Sequence, residues 1–385
     1  MQHLSRALGF IGLTILCWGM YGPTMHAGQG AMEGASLRPF ICVGFAYFLI
    51  AVVVPMAILK TRDDGGRWTR AGVTWSLFAG ALGAMGALGI IMAFKFRGNP
   101  VFVMPLVFGL APVVNTFVTM FLSKTYKDAG PLFFLGLVLV AIGAAGVLFF
   151  KPAAKNVRID EHENGAIVVT LTEVHGGARE THSWEARNLR DLRENPELSR
   201  AYALYNRKKP LDFSEFLMIL LSVAMTALCW GSYGPTLHKG QAHSGGSRLR
   251  PFVCVGMAYF AMAVVIPLLV LGAWNEPGSW TPSGIFWSLG AGAVGAIGAL
   301  GVIMAFNSGG KPIFVMPFVF GGAPVMNTFV TIVGEGTFSQ ITPSFLVALA
   351  MVIAGAVTAL VFVPKGPPPG APAPPTGAEA AAKAA

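Results

Sequence analysis

The stretch CWGMYGPTMHAGQG, from Cys17 to Gly30, returns almost unchanged as CWGSYGPTLHKGQA, from Cys229 to Ala242. The two copies lie at a constant offset of 212 residues, and the same offset pairs Arg38 with Arg250 further along the chain. The register holds without a gap from the first apolar segment of each half to the fifth. Self-similarity of this length and regularity indicates an internal duplication.

The composition of the chain narrows its class. Hydrophobic residues make up 54% of the 385 residues and charged residues only 12%, which is typical of a polytopic membrane protein and excludes an ordinary soluble domain. The formal net charge is +9, but the Lys and Arg residues lie in loops between apolar runs and form no extended basic face. We therefore expect a protein of the cell (inner or plasma) membrane, with the lipid bilayer as a partner and with no nucleic-acid partner.

Ten apolar runs are long enough to cross a bilayer core about 30 Å thick, which needs roughly 20 residues per helix. This pattern predicts an all-α membrane protein with ten transmembrane helices, arranged as two five-helix repeats at 1–150 and 214–364. A small soluble insert at 151–213 separates the repeats, and a disordered Pro/Ala-rich tail follows at 365–385. The predicted spans lie near 7–24, 38–59, 72–94, 100–122, 131–150, 215–236, 251–273, 284–306, 312–333 and 343–363.

The odd number of helices in each repeat predicts that the second copy is inverted in the membrane relative to the first. Charges in the loops favour this interpretation. The loop after the second helix carries Lys60, Arg62, Arg67 and Arg70, whereas its counterpart after the seventh helix, GAWNEPGSWTPSG, has no Lys or Arg. The positive-inside rule then places both termini in the cytoplasm, although basic residues flanking the insert would lie outside.

The insert itself contains two recognisable patterns. The run GAIVVTLTEV alternates and is β-branched, which predicts a strand, and SWEARNLRDLRENPELSRAYALYN predicts a mostly polar helix. Neither pattern carries a recognisable catalytic or binding motif.

Polar and aromatic side chains inside the apolar runs are the candidate substrate-binding residues. The Gly-Pro pair in each copy of the opening motif is expected to kink or end its helix and to leave carbonyl groups exposed, which in a bilayer requires a protein partner or a wet cavity. The fourth and ninth helices each carry two prolines and an Asn three residues beyond the second. The alternatives are interfacial loop residues with aromatic anchors, or hydrogen bonds between helices. The candidates are Trp18, Tyr21, Thr24, His26, Gln29, Asn115, Trp230, Tyr233, Thr236, His238, Gln241 and Asn327.

Ionisable residues are scarce in the predicted spans. The only carboxylates are Glu215 and Glu335, at span ends, so a proton-coupled cycle has no buried acid to use, and His26 and His238 are the candidate proton carriers. The four cysteines lack a CxxC or metal-ligand spacing, and we expect no metal and no cofactor. Glycines recur every third residue in the third and eighth helices, which predicts a seam where two helices pack closely.

The sequence resembles the drug/metabolite transporter superfamily. The resemblance rests on two five-helix repeats, on WGxYGPT near the end of the first helix of each half, on a Gly/Ala-rich third helix ending in MAF, and on a fourth helix with FVMPxVFGxAPVxNT. The nearest branches are the glucose/ribose porters and the ureide permeases. The resemblance implies an alternating-access carrier with its solute cavity between the halves, and it maps solute contacts onto Trp18, Tyr21, Thr24 and Asn115, together with their counterparts Trp230, Tyr233, Thr236 and Asn327.

The resulting hypothesis is a secondary transporter of a small polar metabolite of the sugar, nucleoside or ureide type. The alternatives are an exporter of amino acids or drugs, and a membrane receptor or scaffold that signals through the insert. An enzyme is disfavoured because a catalytic nucleophile or acid–base pair has to break the repeat symmetry, whereas nearly every polar residue within the spans has an equivalent in the other half. A homodimer is left open by the sequence.

Overall fold

The computed structural model describes residues 2–62, 64–124, 130–150, 156–161, 167–175, 178–186, 211–273, 276–308, 312–335 and 341–362. The helices of the first half are α1 (Gln2–Ala31), α2 (Leu37–Thr61), α3 (Arg70–Lys95), α4 (Pro100–Ser123) and α5 (Pro131–Phe149). Those of the second half are α6 (Phe213–His243), α7 (Leu249–Ala273), α8 (Pro282–Asn307), α9 (Pro312–Glu335) and α10 (Pro343–Val361).

Within the described residues, nine helices are long and apolar enough to cross a membrane, and α9 contributes a shorter apolar stretch, Phe318–Gly334. Their length and composition are those of a multi-pass membrane protein. Local signals set where several of them begin. The side chains of Thr69 and Asn99 accept hydrogen bonds from the first backbone N–H groups of α3 and α4, and proline occupies the first turn of α4, α5 and α10, where its missing N–H costs nothing.

The Gly-Pro pair does not end α1 or α6, so the predicted helix ends near residues 24 and 236 were wrong. α1 continues through Pro23 to Ala31, and α6 continues through Pro235 to His243. A proline within a helix removes one backbone hydrogen bond, and the residues after it bond in the usual way. The polar residues that follow each proline therefore lie on helix faces and not in interfacial loops.

A second proline effect recurs in both halves. α2 contains a π-helical turn at Leu49–Val53 and α7 contains one at Ala261–Val265, in each case just before a proline, Pro55 or Pro267. A π turn accommodates a break in the usual bonding pattern without ending the helix. The repeat is therefore visible in local backbone geometry as well as in sequence.

Helix packing follows the same repeat. α1 packs against α8 and α9, and α6 packs against α3 and α4 in the equivalent way; α2 packs on α8 as α7 packs on α3. The pairs α4–α9, α5–α10 and α2–α7 join equivalent helices. Exchanging the two halves thus leaves these contacts unchanged, although α4 also packs on α10 and α5 does not pack to the same extent on α9 among the described residues.

α5 and α10 are antiparallel and their backbones touch. A Cβ placed on Gly136 would lie 2.6 Å from the backbone N of Ala359, and one on Gly146 would lie 2.7 Å from the Cβ of Ala348. As the residue number rises along α5 from 136 to 146, the contacted residue of α10 falls from Ala359 to Ala348. Glycine is required here because any side chain would force the two helices apart.

Equivalent loops join the halves at both ends of the bundle. Arg250 pairs with Asp64, which also accepts a hydrogen bond from the Ser247 hydroxyl. At the other end, the Arg38 Nη1 atom lies 3.5 Å from a carboxylate oxygen of Glu276. These two ion pairs occupy equivalent sequence positions, and both are formed in this structure.

The insert contains a three-stranded antiparallel sheet, formed by β1 (Asn156–Glu161), β2 (Ile167–His175) and β3 (Ala178–Ala186), in the order β1-β2-β3. The predicted strand over GAIVVTLTEV is confirmed as β2. The predicted helix from residue 183 was wrong over its first residues, because these belong to β3 and pair with β2. Its remainder, and the tail at 365–385, lie outside the described residues.

Candidate functional site

A cavity of about 590 Å³ lies between the two halves and is the candidate solute site. Its middle is walled by aromatic rings and glycines that both halves contribute from equivalent positions. The pairs are Trp18 with Trp230, Tyr21 with Tyr233, Tyr47 with Tyr259, Gly83 with Gly295, and Phe108 with Phe320. Because each half supplies the same side chains, the middle of the cavity has the two-fold symmetry of the repeat.

The glycine seams of α3 and α8 hold the two tryptophans in place. The Trp18 Nε1–H group donates to the carbonyl of Gly295 at 3.1 Å, and Trp230 Nε1–H donates to the carbonyl of Gly83 at 3.1 Å. A Cβ at Gly86 or Gly298 would overlap an indole ring. The predicted packing seam is confirmed, and because both indole N–H groups are already bonded, the tryptophans offer only their ring faces and edges to a solute.

The tyrosines supply the hydroxyl groups in this aromatic region. Tyr47 and Tyr259 stack with ring centroids 4.0 Å apart and planes 2° apart, and the Tyr259 hydroxyl donates to the Gly83 carbonyl at 3.0 Å. Tyr21 lines the cavity, and its buried hydroxyl has no hydrogen-bond partner. A buried hydroxyl without a partner is unfavourable, which makes the Tyr21 hydroxyl a natural contact for a polar solute.

From this middle region the cavity extends towards one end of the bundle, where α4 and α6 finish. We call this the open end. The wall here includes Asn115 and Leu122 of α4, His238 and Gln241 of α6, and Ile303 of α8. His238 is exposed and Gln241 is half-buried.

The opposite end, where α1, α3 and α9 finish, is closed by packed side chains. Gln29 Nε2–H donates to the carbonyl of Ile91 at 3.1 Å, and Asn327 Nδ2–H donates to the carbonyl of Pro100 at 2.8 Å. The His26 ring packs edge-on against Phe94, with centroids 5.0 Å apart. These contacts join α1 to α3 and α9 to α4 across the closed end.

Equivalent residues therefore have different environments in the two halves. Gln29 is 3% exposed, while its equivalent Gln241 lines the cavity. Asn327 is 0% exposed, while Asn115 lines the cavity. Met104 of α4 is also fully buried at the closed end, and its equivalent Met316 of α9 lines the cavity. The two ends have nearly the same sequence and opposite accessibility.

Among the candidate residues named from the sequence, those that line this cavity are Trp18, Tyr21, Asn115, Trp230, Tyr233, His238 and Gln241. Thr24 and Thr236 are buried side chains that do not line it; the Thr236 hydroxyl bonds within its own helix, to the carbonyl of Ser232. His26, Gln29 and Asn327 lie in the closed end, outside the cavity wall.

Sequence reasoning missed Tyr47, Tyr259, Phe108 and Phe320 as site residues. Each is an aromatic residue within an apolar run, where lipid-facing, core and cavity positions look alike. The usable signal was that all four recur at the 212-residue offset. Identical aromatic residues in both repeats are expected where the repeats face each other.

The charge around the cavity is sparse. Among the residues that the structure describes, no Asp or Glu lines it, and Lys239 is its one Lys or Arg. The Lys239 ammonium lies 4.7 Å from the centre of the Trp75 ring, an arrangement that stabilises a cation through the π electrons of the ring. Arg97, a basic residue at the closed end, forms an ion pair with Glu215 at 2.8 Å. The cavity wall is thus mainly apolar, with a few hydroxyl and amide groups.

In the described part of the chain, no cluster of three or more His, Cys, Asp or Glu side chains could hold a metal ion. Searches against family models, curated proteins and solved structures gave no match for this chain.

Proposed function

We propose that the protein is a secondary transporter that moves a small polar metabolite, of the sugar, nucleoside or ureide type, across the membrane. Transport occurs by alternating access between two inverted five-helix repeats with ten spans in total. The observation that carries this proposal is the opposite accessibility of identical residues at the two ends of one cavity.

Inversion is supported by the antiparallel packing of equivalent helices. α5 and α10 occupy the same place in their repeats and run in opposite directions where Gly136 and Gly146 meet α10. A two-fold axis that relates antiparallel helices is perpendicular to them, and for helices that cross a bilayer such an axis lies in the membrane plane.

Alternating access follows from this symmetry. The two halves have nearly the same sequence, so the residues at either end of the cavity can adopt the open or the closed arrangement. In this structure one end is open and the other is closed. If the halves exchange conformations, the closed end takes up the geometry now seen at the open end. The solute then leaves on the side opposite to the one from which it entered.

Basic residues in the described loops support a cytoplasmic open end. The short loops at that end carry Arg62, Arg67 and Arg248, whereas the short loops at the closed end carry Arg97. The insert also lies at the closed end, and its basic residues run against this trend. The positive-inside rule places the richer side in the cytoplasm, which agrees with cytoplasmic termini and a protein of the cell membrane.

The chemistry of the wall favours a neutral polar solute with ring character. Aromatic faces from both halves can stack on a sugar or base ring, while the Tyr21 hydroxyl and the Asn115 and Gln241 amides can form hydrogen bonds. No carboxylate faces the cavity among the described residues to attract a simple cation. Most polar residues of the wall have an identical residue at the equivalent position of the other half, as expected of a carrier whose two repeats exchange conformations.

The test is an uptake screen with purified protein in liposomes against sugars, nucleosides, ureides and amino acids, with and without a pH gradient. A solute that is found is then measured with Tyr21→Phe. Because the Tyr21 hydroxyl has no partner in the protein, its removal should leave the melting temperature unchanged or raise it. The KM for transport should rise by about two- to tenfold, the value of one lost hydrogen bond. Trp68→Ala, which removes an exposed ring outside the cavity wall, is the control and should leave transport unchanged. If no solute moves, the proposal fails.

A further inference from the structure

Three pairs of equivalent residues form a hydrogen bond in one half and none in the other. Gln29, Asn327 and Tyr259 donate to the carbonyls of Ile91, Pro100 and Gly83, respectively. The equivalent side chains, Gln241, Asn115 and Tyr47, line the cavity and form no hydrogen bond. Identical side chains thus have different hydrogen bonding in a single structure.

Two of these bonds join helices across the closed end, and the third joins helices in the middle of the cavity. Gln29 connects α1 to α3, and Asn327 connects α9 to α4, both across the closed end. Tyr259 connects α7 to α3 in the middle of the cavity. The acceptors equivalent to these three are the carbonyls of Ile303, Pro312 and Gly295, on α8 and α9.

The two amide bonds at the closed end are only weakly favourable. The remaining amide oxygens, Gln29 Oε1 and Asn327 Oδ1, are buried without a hydrogen-bond partner. A hydrogen bond contributes a modest net free energy, and a buried acceptor without a partner costs a similar amount. Opening the end to water would hydrate both oxygens, so these bonds specify the closed geometry without preventing its release.

We propose that the three pairs form an exchanging latch, which determines which end of the cavity is closed. This rests on the proposed transport function. In the state with the other end open, Gln241 donates to the Ile303 carbonyl, Asn115 to the Pro312 carbonyl and Tyr47 to the Gly295 carbonyl. The three bonds present in this structure are then broken. Each of the six side chains therefore donates its latch hydrogen bond in only one of the two states.

The test uses the same isosteric substitution at equivalent positions. Asn327→Asp removes the donor that holds the present closed end and places a carboxylate against the Pro100 carbonyl. Asn115→Asp leaves the present state intact, because that side chain lines the open cavity, and instead impairs closure of the open end. The reporters are cysteines introduced at Met25, which is 0% exposed at the closed end, and at its equivalent Leu237, which lines the cavity. The four native cysteines are replaced in all variants.

The measurement is the rate at which a membrane-impermeant thiol reagent modifies each reporter in proteoliposomes of known orientation. With Asn327→Asp, we expect the rate at position 25 to rise and the rate at position 237 to fall, each by about tenfold or more, since a buried donor is replaced by an unpaired charge. With Asn115→Asp, both changes should have the opposite sign. Gln29→Ala and Gln241→Ala should give shifts of the same signs without adding charge, and they replace any aspartate variant that does not fold.

Two different failures can be distinguished. In the first, position 25 becomes accessible in the parent protein when solute is added, but Asn327→Asp and Asn115→Asp change the labelling rates in the same direction or not at all. The latch is then refuted, and transport by alternating access stands. If position 25 is never modified from the closed end in the parent or in any folded variant, with or without the solutes of the uptake screen, both proposals are refuted.

Discussion

A methyl group added at the closed end should overlap its neighbours and so destabilise the closed arrangement. Gly22 lies on α1, and a Cβ at this position would be 2.6 Å from the Met104 Cγ atom and 2.7 Å from the Asn327 Oδ1 atom. Ordinary contacts between carbon atoms are about 3.5–4.0 Å, and both neighbours are completely buried, so neither can move aside without disturbing others. Overpacking of this kind costs about 1–3 kcal/mol. Gly22→Ala should therefore shift the ratio of the two states by about 5- to 150-fold. The favoured state is the one in which the end that is closed here becomes open.

The matched control is Gly234→Ala, the equivalent substitution on α6. A Cβ there would meet only the Nδ2 atom of Asn115, at 2.8 Å, and this side chain borders the cavity and can rotate away. The substitution should be tolerated in the present state and should oppose closure of the open end. Thiol labelling from both sides of proteoliposomes measures the two populations. The reasoning is refuted if both variants shift accessibility in the same direction, or if Gly22→Ala leaves the closed end as inaccessible as in the parent.

Three further outcomes are expected. Gly136→Ala should lower the free energy of unfolding by about 1–3 kcal/mol, because the new methyl group meets the backbone of α10; Gly12→Ala, with nothing within 4 Å, should be neutral or stabilise by up to about 1 kcal/mol through helix propensity. Equal melting temperatures in detergent for these two variants would contradict the packing account. Glu276→Ala should cost about 1–3 kcal/mol by leaving the N–H groups that begin α2 without their acceptor, and an unchanged melting temperature would count against this. The Ser214 hydroxyl bonds to the Asp212 carboxylate and holds the pKa of that carboxyl below its ordinary value. Its stabilising effect is therefore present above the ordinary pKa, about 3.9, and is lost as the pH falls through the lower value in the folded protein; Asp212→Asn should remove this part of the pH dependence of melting.

Much of the architecture could be predicted from the sequence because it depends on length, apolarity and repetition. The 212-residue offset located the equivalent helices, and the glycine stripes of α3 and α8 located the seams on which Trp18 and Trp230 pack. The ends of α1 and α6 could not be predicted in the same way. A proline signals the loss of one hydrogen bond, but the packing of the following turns against α8 and α3 decides whether the helix continues.

The environment of each candidate residue could not be predicted, for a physical reason. The two copies have nearly the same sequence, so the sequence contains no strong signal that would bury Gln29 and place Gln241 at the cavity, or bury Asn327 and place Asn115 there. Under the proposed alternating access, the difference between them arises from the conformational state of the bundle. The repeated sequence specifies which residues meet at the two ends, and in the proposed mechanism the conformation determines which end is closed.

The most direct test of alternation is a pair of distances measured by spin labels in the same membrane. One pair of labels is placed at Glu33 and Lys95, on loops and helix ends at the closed end, and the other at Gly245 and Ser308, at the open end. When Gly22→Ala or a transported solute shifts the population, the first distance should lengthen and the second should shorten. Distances that lengthen together, or an open-end distance that stays fixed while the closed end opens, would contradict exchange of conformation between the two halves.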